Sequence, residues 1–265
     1  MKFRSEFFMA FIFEKFRGGG DNLAYVIGCS STKTAAVVDP ISAHDILEYS
    51  EKKKLKILFV LNTHGHPDHT GGNQVIANST GAEIMAHPED RVLNAARPLA
   101  DGQEIEVGKT RIEVIHTPGH TAGSVCFRVM NKFISGDTVF LAGAGNTRFG
   151  GDVKDLFYSF KEKIIPLPAR LELCPGHDYA YTNLHFAQTI EPDNVHIDHK
   201  LKELKNAERK GVIISSTLGE EKKYNPFFRV ENPELIESLT SEYPEMSPEN
   251  TFETFRQIRE LRNQW

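Results

Sequence analysis

Cysteine is scarce in this sequence of 265 residues, and its apolar residues are nowhere gathered into a long run. The three cysteines, Cys29, Cys126 and Cys174, are an odd, scattered set with neither C-x-x-C spacing nor a disulfide framework. A reducing compartment, the cytoplasm, is the expectation that follows. No apolar run approaches the roughly 20 residues that span a bilayer, so no membrane partner is expected.

Charge of one sign is not in excess either. The net charge is −5 with both signs intermixed, whereas a nucleic-acid-binding surface needs a basic stripe. No nucleic-acid partner is therefore expected. An apolar stretch at Phe7–Phe13 is flanked by Glu6 and Glu14 and has no small-residue cleavage site after it, which argues against a signal peptide.

Short apolar runs separated by turns predict strands in the first part of the chain, and amphipathic stretches between them predict helices. The predicted strands are Met9–Phe13, Leu23–Ile27, Ala35–Val38, Ile57–Leu61, Ala82–Met85, Arg111–Ile115, Ser124–Val129 and Lys132–Ile134. The predicted helices among them are Ala43–Lys53, Asn73–Asn78, Val153–Ile164 and Tyr181–Gln188. Such interleaving indicates an α/β fold whose sheet carries the loops that do chemistry.

The pattern changes after about Thr189. Charged, helix-forming stretches follow at His199–Lys210, Pro233–Thr240 and Pro248–Arg262, and no strand signal returns. A smaller helical domain is predicted there. The run from Leu201 to Lys210 mixes charges of both signs, which is typical of a solvated helix face.

The segment from Leu61 to Gly72 concentrates chemistry directly after a predicted buried strand. It reads LNTHGHPDHTGG, so His64, His66, Asp68 and His69 lie within six residues. Neutral imidazole and carboxylate oxygen suit zinc, iron or manganese, and the lack of nearby thiolates argues against a closed structural zinc site. The alternative is a polar turn with solvated histidines, which a single histidine would favour and this spacing does not.

Three further segments follow in order, and each directly follows or closely trails a short apolar run. They are TPGHT at residues 117–121, SGDT at 135–138 and CPGHDY at 174–179, which bring His120, Asp137 and His177. All four segments can converge on one edge of a sheet. Together they resemble the metallo-β-lactamase superfamily, which implies an αββα sandwich.

That resemblance implies a two-metal site with seven ligands. His64, His66 and His120 would hold one ion and Asp68, His69 and His177 the second, with Asp137 bridging. The expected cofactors are two divalent metal ions, zinc first, with iron or manganese as alternatives. Two such ions lower the pKa of a bridging water towards neutrality, so the nucleophile would be a metal-made hydroxide and Asp68 and Asp137 would serve catalysis directly.

The C-terminal segments indicate which member of the superfamily this is. The stretches YAYTNLHFA from Tyr179, STLGEEK from Ser216 and NPFFR from Asn225 resemble the helical domain of glyoxalase II, the hydroxyacylglutathione hydrolase family. The resemblance implies a catalytic domain at residues 1–178 and a helical glutathione-binding domain at 179–265. It also implies that Tyr179, Arg259 and Arg262 contact glutathione. The i, i+3 spacing of Arg256, Arg259 and Arg262 places their guanidinium groups on one face of a terminal helix.

One loop departs from the family pattern. Where the family has a Gly-Cys-Gly followed by a basic residue, an aromatic and Tyr-Glu-Gly, this chain reads GAGNTRFGG at residues 143–151, with one extra residue. In one alignment Arg148 replaces the family's basic contact and Phe149 stands where a tyrosine hydroxyl bonds the tripeptide. A missing hydrogen bond of that kind costs about 0.5–1.5 kcal/mol.

The expected activity is hydrolysis of a glutathione thioester such as S-lactoylglutathione to a 2-hydroxy acid and glutathione. A glutathione persulfide dioxygenase with a single iron is one alternative, because its loop also favours an aromatic residue after Gly-x-Thr. A superfamily hydrolase for a lactone or a phosphodiester is another, because the departures lie on the substrate side.

Overall fold

The structure is a computed structural model that describes residues 11–246 and 248–265. Met9 and Ala10 of the first predicted strand, and the part of the apolar stretch before Phe11, lie outside the described residues. The chain divides into two compact units. Unit 1 runs to His116 and includes Gly123–Met130, and unit 2 comprises Thr117–Ala122 and Asn131–Trp265. The predicted domain boundary between residues 178 and 179 stays a prediction.

The strands of the described residues are β1 (Phe11–Gly18), β2 (Asn22–Cys29), β3 (Thr34–Val38), β4 (Lys56–Leu61), β5 (Glu83–Ala86), β6 (Arg97–Pro98), β7 (Glu104–Val107), β8 (Thr110–His116), β9 (Val125–Val129), β10 (Lys132–Gly136), β11 (Val139–Phe140), β12 (Gly143–Ala144) and β13 (Glu172–Pro175). The α-helices are α1 (Ala43–Lys53), α2 (Pro67–Thr70), α3 (Asn73–Thr80), α4 (Val153–Tyr158), α5 (Ala180–Ile190), α6 (Val195–Lys210), α7 (Leu218–Tyr224), α8 (Pro233–Glu242) and α9 (Thr251–Gln264). Short 3₁₀ turns lie at Pro88–Asp90 and Pro226–Phe228, and a π-helix at Ser159–Ile164 continues α4.

Unit 1 is built on a six-stranded sheet in the order β1 to β6. The first three strands pair antiparallel, and β3 to β6 pair parallel. The helix α1 returns the chain between β3 and β4, α3 returns it between β4 and β5, and the segment with the 3₁₀ turn Pro88–Asp90 connects β5 to β6. Alternate residues of β2 and β3, such as Val26 and Val37, pack with Ile46 of α1 and Ile76 of α3. The carboxyl ends of β3, β4 and β5 therefore lie at one edge, where the loops after them meet.

Three further strands of unit 1, β7 to β9, pair antiparallel in sequence order. The threonine hydroxyl of Thr110 donates to the carbonyl of Gly28, which links β8 to β2. Side chains of β7 alternate between exposed Glu104 and Glu106 and buried Ile105 and Val107. This strand has one solvated face.

Unit 2 combines a parallel pair, β10 with β13, and the hairpin β11–β12 with the helices. Residues of the hairpin connection, Leu141 and Ala142, pack in a buried cluster with Leu184 of α5 and Ile197 of α6. A second cluster is aromatic and joins Phe160, Phe227 and Phe255 by edge-on and tilted contacts. The hairpin that follows Asp137 is thus held by the helices.

The predicted elements agree with most of this architecture, and α1 has the predicted bounds. The predicted helix at Val153–Ile164 is wrong in type after Tyr158, where the backbone widens to a π-helix. The sequence did not predict β13, which is only four residues long and contains Pro175, or α7, which begins with a capping box between Thr217 and Glu220. Among the described residues no strand follows Thr189, as predicted.

No helix of the described residues is long and apolar enough to cross a membrane.

Candidate active site

The metal-ligand candidates of unit 1 follow β4, the central parallel strand of its sheet. His64 lies in the loop, His66 caps α2, and Asp68 and His69 are in the first turn of that short helix. Pro67 occupies its first position, where the absent N–H costs nothing. His64 and His69 are buried, and Asp68 is exposed. The compact turn brings all four side chains to the edge where the parallel strands end.

Asp39, at the end of β3, orients two of these imidazoles. Its carboxylate accepts from the backbone N–H of Thr63 at 2.8 Å and from the Thr63 hydroxyl at 2.5 Å, and its Oδ2 lies 3.0 Å from Nδ1 of His69. The Thr63 oxygen is 3.1 Å from Nδ1 of His64 and donates its own proton to Asp39, so it accepts from His64. Both rings therefore carry their proton on Nδ1, which leaves the lone pair on Nε2 available for a metal ion.

In unit 1, two pairs of candidate ligand atoms lie as close together as two ligands of one metal ion do. Nε2 of His64 is 3.1 Å from Nδ1 of His66, and Nε2 of His69 is 3.7 Å from Oδ2 of Asp68. The amide of Asn22 donates to the same Asp68 oxygen at 3.2 Å and to its main-chain carbonyl at 3.2 Å. Asn22 thus fixes an otherwise exposed carboxylate.

Unit 2 supplies the other three candidates, and it brings them together around Asp137. One oxygen of that carboxylate, Oδ2, lies 3.6 Å from Nε2 of His120 and 3.4 Å from Nε2 of His177. Nδ1 of His120 donates to the carbonyl of Asn146 at 2.8 Å, which again directs Nε2 towards the carboxylate. The ring of His177 stacks on Tyr179 with a centroid distance of 4.8 Å.

These spacings fit metal ligation. Two ligand atoms held about 2.1 Å from one ion at a tetrahedral angle lie about 3.4 Å apart. The four ligand pairs within the two units lie at 3.1, 3.7, 3.6 and 3.4 Å. Imidazole and carboxylate donors without thiolate suit zinc, iron and manganese alike.

A pocket of about 250 Å³ in unit 2 collects the predicted substrate residues. Its lining includes Arg148, Tyr179, Arg259 and Arg262, together with Phe140 and Asn183. The residues predicted as glutathione contacts therefore share one cavity. Phe149 also lines it but leaves 69% of its surface exposed.

Arg259 and Arg262 differ from Arg256, with which they were expected to share a face. Arg256 makes ion pairs with Glu253 and Glu260, each at 2.9 Å. Arg259 is buried instead, and its Nη1 donates to the carbonyls of Ala144 at 2.6 Å and Gly145 at 3.2 Å. Arg259 therefore does not lie on a solvated helix face.

The two inward arginines carry charge that no carboxylate of the described residues balances by a salt bridge. Arg262 donates from Nε to Asn183 at 3.2 Å and lies over the rings of Phe186 and Trp265. Burial, with the nearby charges of Arg262 and Arg148, lowers the pKa of Arg259 to about 9. Its buried Nε has no hydrogen-bond partner within residues 11–246 and 248–265. An anionic ligand would satisfy this pocket.

Polar side chains that the sequence did not predict hold the β11–β12 hairpin, which contributes Phe140 and Ala144 to the pocket. Glu221 of α7 accepts from the N–H of Ala142 at 2.9 Å, and Asn225 donates to the carbonyls of Phe140 and Gly143. Asn183 donates to the carbonyl of Leu141 at 3.1 Å. A Cβ at Gly145 would lie 2.0 Å from the carbonyl oxygen of Asp137, so only glycine fits where the hairpin returns to that ligand.

Comparison with known proteins agrees with this geometry. The family model described as "Metallo-beta-lactamase superfamily" matches residues 17–177, and the model described as "Hydroxyacylglutathione hydrolase C-terminus" matches residues 178–265. Fold and match define the class as a metallo-β-lactamase superfamily protein, an α/β sandwich with a C-terminal helical domain. The predicted fold class is confirmed.

Curated relatives narrow the assignment. The chain is 39% identical over 251 residues to "Hydroxyacylglutathione hydrolase" of Polaromonas sp., covering 92% of this chain and 95% of that protein. It is 35% identical over 254 residues to "Hydroxyacylglutathione hydrolase cytoplasmic" of Arabidopsis thaliana, with the same coverages. The chain belongs to the hydroxyacylglutathione hydrolase family, as the sequence motifs predicted.

Solved structures share the fold. ETHE1 from Myxococcus xanthus has a TM-score of 0.66 at 24% identity, covering 87% of this chain and 98% of its own. A metallo-beta-lactamase from Staphylococcus aureus has the same TM-score and identity, covering 95% of this chain and 71% of its own. At this identity the likeness concerns the fold alone.

Proposed function

We propose that the chain hydrolyses thioesters of glutathione, with S-lactoylglutathione as substrate and a 2-hydroxy acid and glutathione as products, in the cytoplasm. The observation that carries the proposal is the match of residues 178–265 to a hydroxyacylglutathione hydrolase C-terminus. The superfamily fold alone hosts many reactions, whereas this segment supplies Arg259 and Arg262 to the cationic pocket. The cytoplasmic location is supported by the name of the Arabidopsis relative, which describes that protein as cytoplasmic.

The metal site is part of the proposal. His64, His66 and His120 would hold one divalent ion, Asp68, His69 and His177 the other, and Asp137 both. The four coordination spacings within the units support these roles, and each belongs to a pair assigned to one ion. Zinc is the first candidate, and iron and manganese fit the same donors.

When bound, two divalent ions would supply a water of lowered pKa and would polarise the carbonyl of the thioester. The chain's own residues prepare for this chemistry. Asp39, Thr63 and the Asn146 carbonyl hold the Nδ1 protons of three histidines, so each Nε2 stays a ligand and needs no reorganisation.

The cationic pocket would bind the tripeptide. Arg262 and Arg148 would pair with a glutathione carboxylate, since guanidinium groups bind carboxylates in a planar, bidentate manner. Arg259 would add its charge from beneath while its Nη1 holds the hairpin carbonyls. Tyr179, stacked on His177, would set the distance between the pocket and the reacting carbonyl. The thiolate then leaves readily because its pKa is low compared with that of an alkoxide.

Metal analysis of the purified protein, combined with parallel assays of thioester cleavage and oxygen uptake, tests the proposal. The expected result is two ions per chain, release of free thiol from S-lactoylglutathione and no oxygen consumption with glutathione persulfide. One iron per chain with oxygen uptake and no thioester cleavage would instead establish the dioxygenase alternative.

A further inference from the structure

A carboxylate outside the seven candidate ligands makes contacts with two of the loops that carry them. Asp90 ends the 3₁₀ turn that follows β5. One of its oxygens, Oδ2, accepts from the backbone N–H of Gly65 at 2.7 Å, and the other, Oδ1, accepts from the N–H of Gly123 at 2.9 Å. Gly65 stands between His64 and His66 in sequence, and Gly123 follows His120 by three residues.

Asp90 lies so close to Gly65 and Gly123 that neither position has room for a side chain. A Cβ at Gly65 would lie 2.6 Å from the main-chain oxygen of Asp90 and 3.1 Å from its Cβ. At Gly123 a Cβ would lie 2.7 Å from both Cγ and Oδ1 of Asp90. Real Cβ atoms do not approach this closely, so a side chain at either position would push Asp90 away. The glycines of the two motifs therefore let one aspartate reach both backbones.

The turn that presents Asp90 is itself fixed. Its backbone N–H donates to the carbonyl of His87 at 3.1 Å, and the His87 ring accepts from the N–H of Glu89 at 3.4 Å. That ring also stacks on His116 with a centroid distance of 4.1 Å and an interplanar angle of 8°. Asp90 thus reaches the loops from a restrained position.

We propose that Asp90 is a positioning residue for metal binding, holding the peptide between His64 and His66 and the loop after His120 in the geometry that ligation requires. This inference rests on the proposed metal site. The peptide N–H of Gly65 lies at the pivot between two ligands whose atoms are 3.1 Å apart, so a rotation there would change that spacing directly. A carboxylate suits both N–H groups because each of its oxygens accepts.

The substitution Asp90→Asn tests the inference with almost no change in volume. An amide presents one acceptor and one donor, so one of the two N–H groups would face an NH₂ group and lose its partner. Zinc affinity, measured by competition with a chromophoric chelator, should fall about 10- to 100-fold for at least one ion, the range usual for partners of metal ligands. The melting temperature of the metal-free protein should change little.

Two further variants distinguish an effect of the position of the carboxylate on zinc binding from an effect of its charge and from a loss of folding. Glu89→Gln removes the same charge one residue away on an exposed side chain and should leave zinc affinity unchanged. Gly123→Ala keeps every charge but pushes the carboxylate aside, so it should weaken zinc binding in the same sense as Asp90→Asn. It also serves if Asp90→Asn does not fold.

Unchanged zinc affinity in a folded Asp90→Asn or Gly123→Ala protein would overturn the proposal, and so would an equal loss in Glu89→Gln. The readout is binding of zinc alone, so it is separate from the choice of substrate. If the wild type binds two zinc ions and cleaves no glutathione thioester, the proposed activity fails while the role of Asp90 stands.

Discussion

The Nδ1 atom of His69 lies 3.0 Å from Oδ2 of Asp39, and both atoms are buried in unit 1. Asp39 has a positive φ of 49°, a left-handed conformation that asparagine and aspartate adopt more readily than other non-glycine residues. The carboxylate is thereby turned back from the end of β3 towards the loop after β4. The contact fixes which nitrogen of His69 carries the proton, and hence which nitrogen can bind metal.

Replacing Asp39 with asparagine should weaken metal binding without unfolding the chain. Asparagine tolerates the same backbone conformation, but its amide can accept at only one of the two oxygen positions that Asp39 uses. Metal per chain after dialysis against a graded chelator should show a loss of about 10- to 100-fold in affinity. Full retention of both ions at every chelator concentration would mean that Asp39 does not orient His69.

Asp137→Ala should remove most bound metal and nearly all thioester turnover. Its Oδ2 lies within 3.6 Å of a ligand nitrogen of His120 and of His177, so both ions would lose a shared anionic ligand. The assay is metal content and turnover on the same preparation. Two ions and near-normal turnover would show that the bridging role is wrong.

Much of the fold, and which residues are candidate metal ligands, could be predicted because the signals are local. The spacing from His64 to His69 directly after an apolar run predicts a strand followed by a turn that carries candidate ligands, and β4 and α2 supply the strand and the turn. The helix Ala43–Lys53 follows from its amphipathic period alone. The three downstream motifs, which supply His120, Asp137 and His177, each trail a short strand.

The contacts that orient these groups could not be predicted, because they join residues far apart in sequence through single side chains. Asp39 reaches a loop 24 to 30 residues ahead, and Glu221 bonds an N–H 79 residues earlier. Neither residue belongs to a spaced motif of ligand types. The inward turn of Arg259 likewise depends on the carbonyls of Ala144 and Gly145, which helical periodicity does not reveal.

Glu221 should prove necessary as a hydrogen-bond acceptor but not as a charge. Glu221→Leu would leave the N–H of Ala142 and the amide of Asn225 without the oxygen they share, at about 1–3 kcal/mol for each buried group. Glu221→Gln keeps an oxygen for both, and the Tyr224 hydroxyl can turn to accept from the new amide. Urea denaturation should show a large loss of unfolding free energy for Glu221→Leu and a small loss for Glu221→Gln. Equal losses would contradict this role.

The stability difference between Glu221→Gln and wild type should also depend on pH. Burial raises the pKa of Glu221 above its ordinary value of 4.5, against the opposing effect of its hydrogen bonds. Above about pH 4.5 the folded chain therefore binds more of this proton than the unfolded chain does, so this group's contribution to stability falls as pH rises. The stability of Glu221→Gln relative to wild type should therefore increase between pH 5 and pH 8. A relative stability that decreases over this range would show that the pKa is not raised.

The three cysteines should have no catalytic part. Cys29, Cys126 and Cys174 are buried and form no disulfide, and none belongs to the candidate ligand set. Replacement of each by alanine should cost about 1 kcal/mol in unfolding free energy, the central value for single substitutions, and leave the turnover of a folded protein unchanged. Loss of turnover with full metal content would require a cysteine role.

The most direct measurement compares hydrolysis of S-lactoylglutathione with hydrolysis of a small thioester lacking glutathione, in wild type, Arg262→Ala and Arg256→Ala. Arg262 lines the pocket, whereas Arg256 on the same helix is ion-paired with Glu253 and Glu260. A hydrogen bond to a charged group is worth about 1.5–3 kcal/mol, so Arg262→Ala should raise KM for the glutathione thioester roughly 10- to 150-fold with a smaller change in kcat. Hydrolysis of the small thioester should be unaffected by either substitution. Arg256→Ala should hydrolyse both substrates as wild type does. Unchanged KM for S-lactoylglutathione in a folded, metal-loaded Arg262→Ala protein would contradict the account of this chain as a glutathione thioester hydrolase.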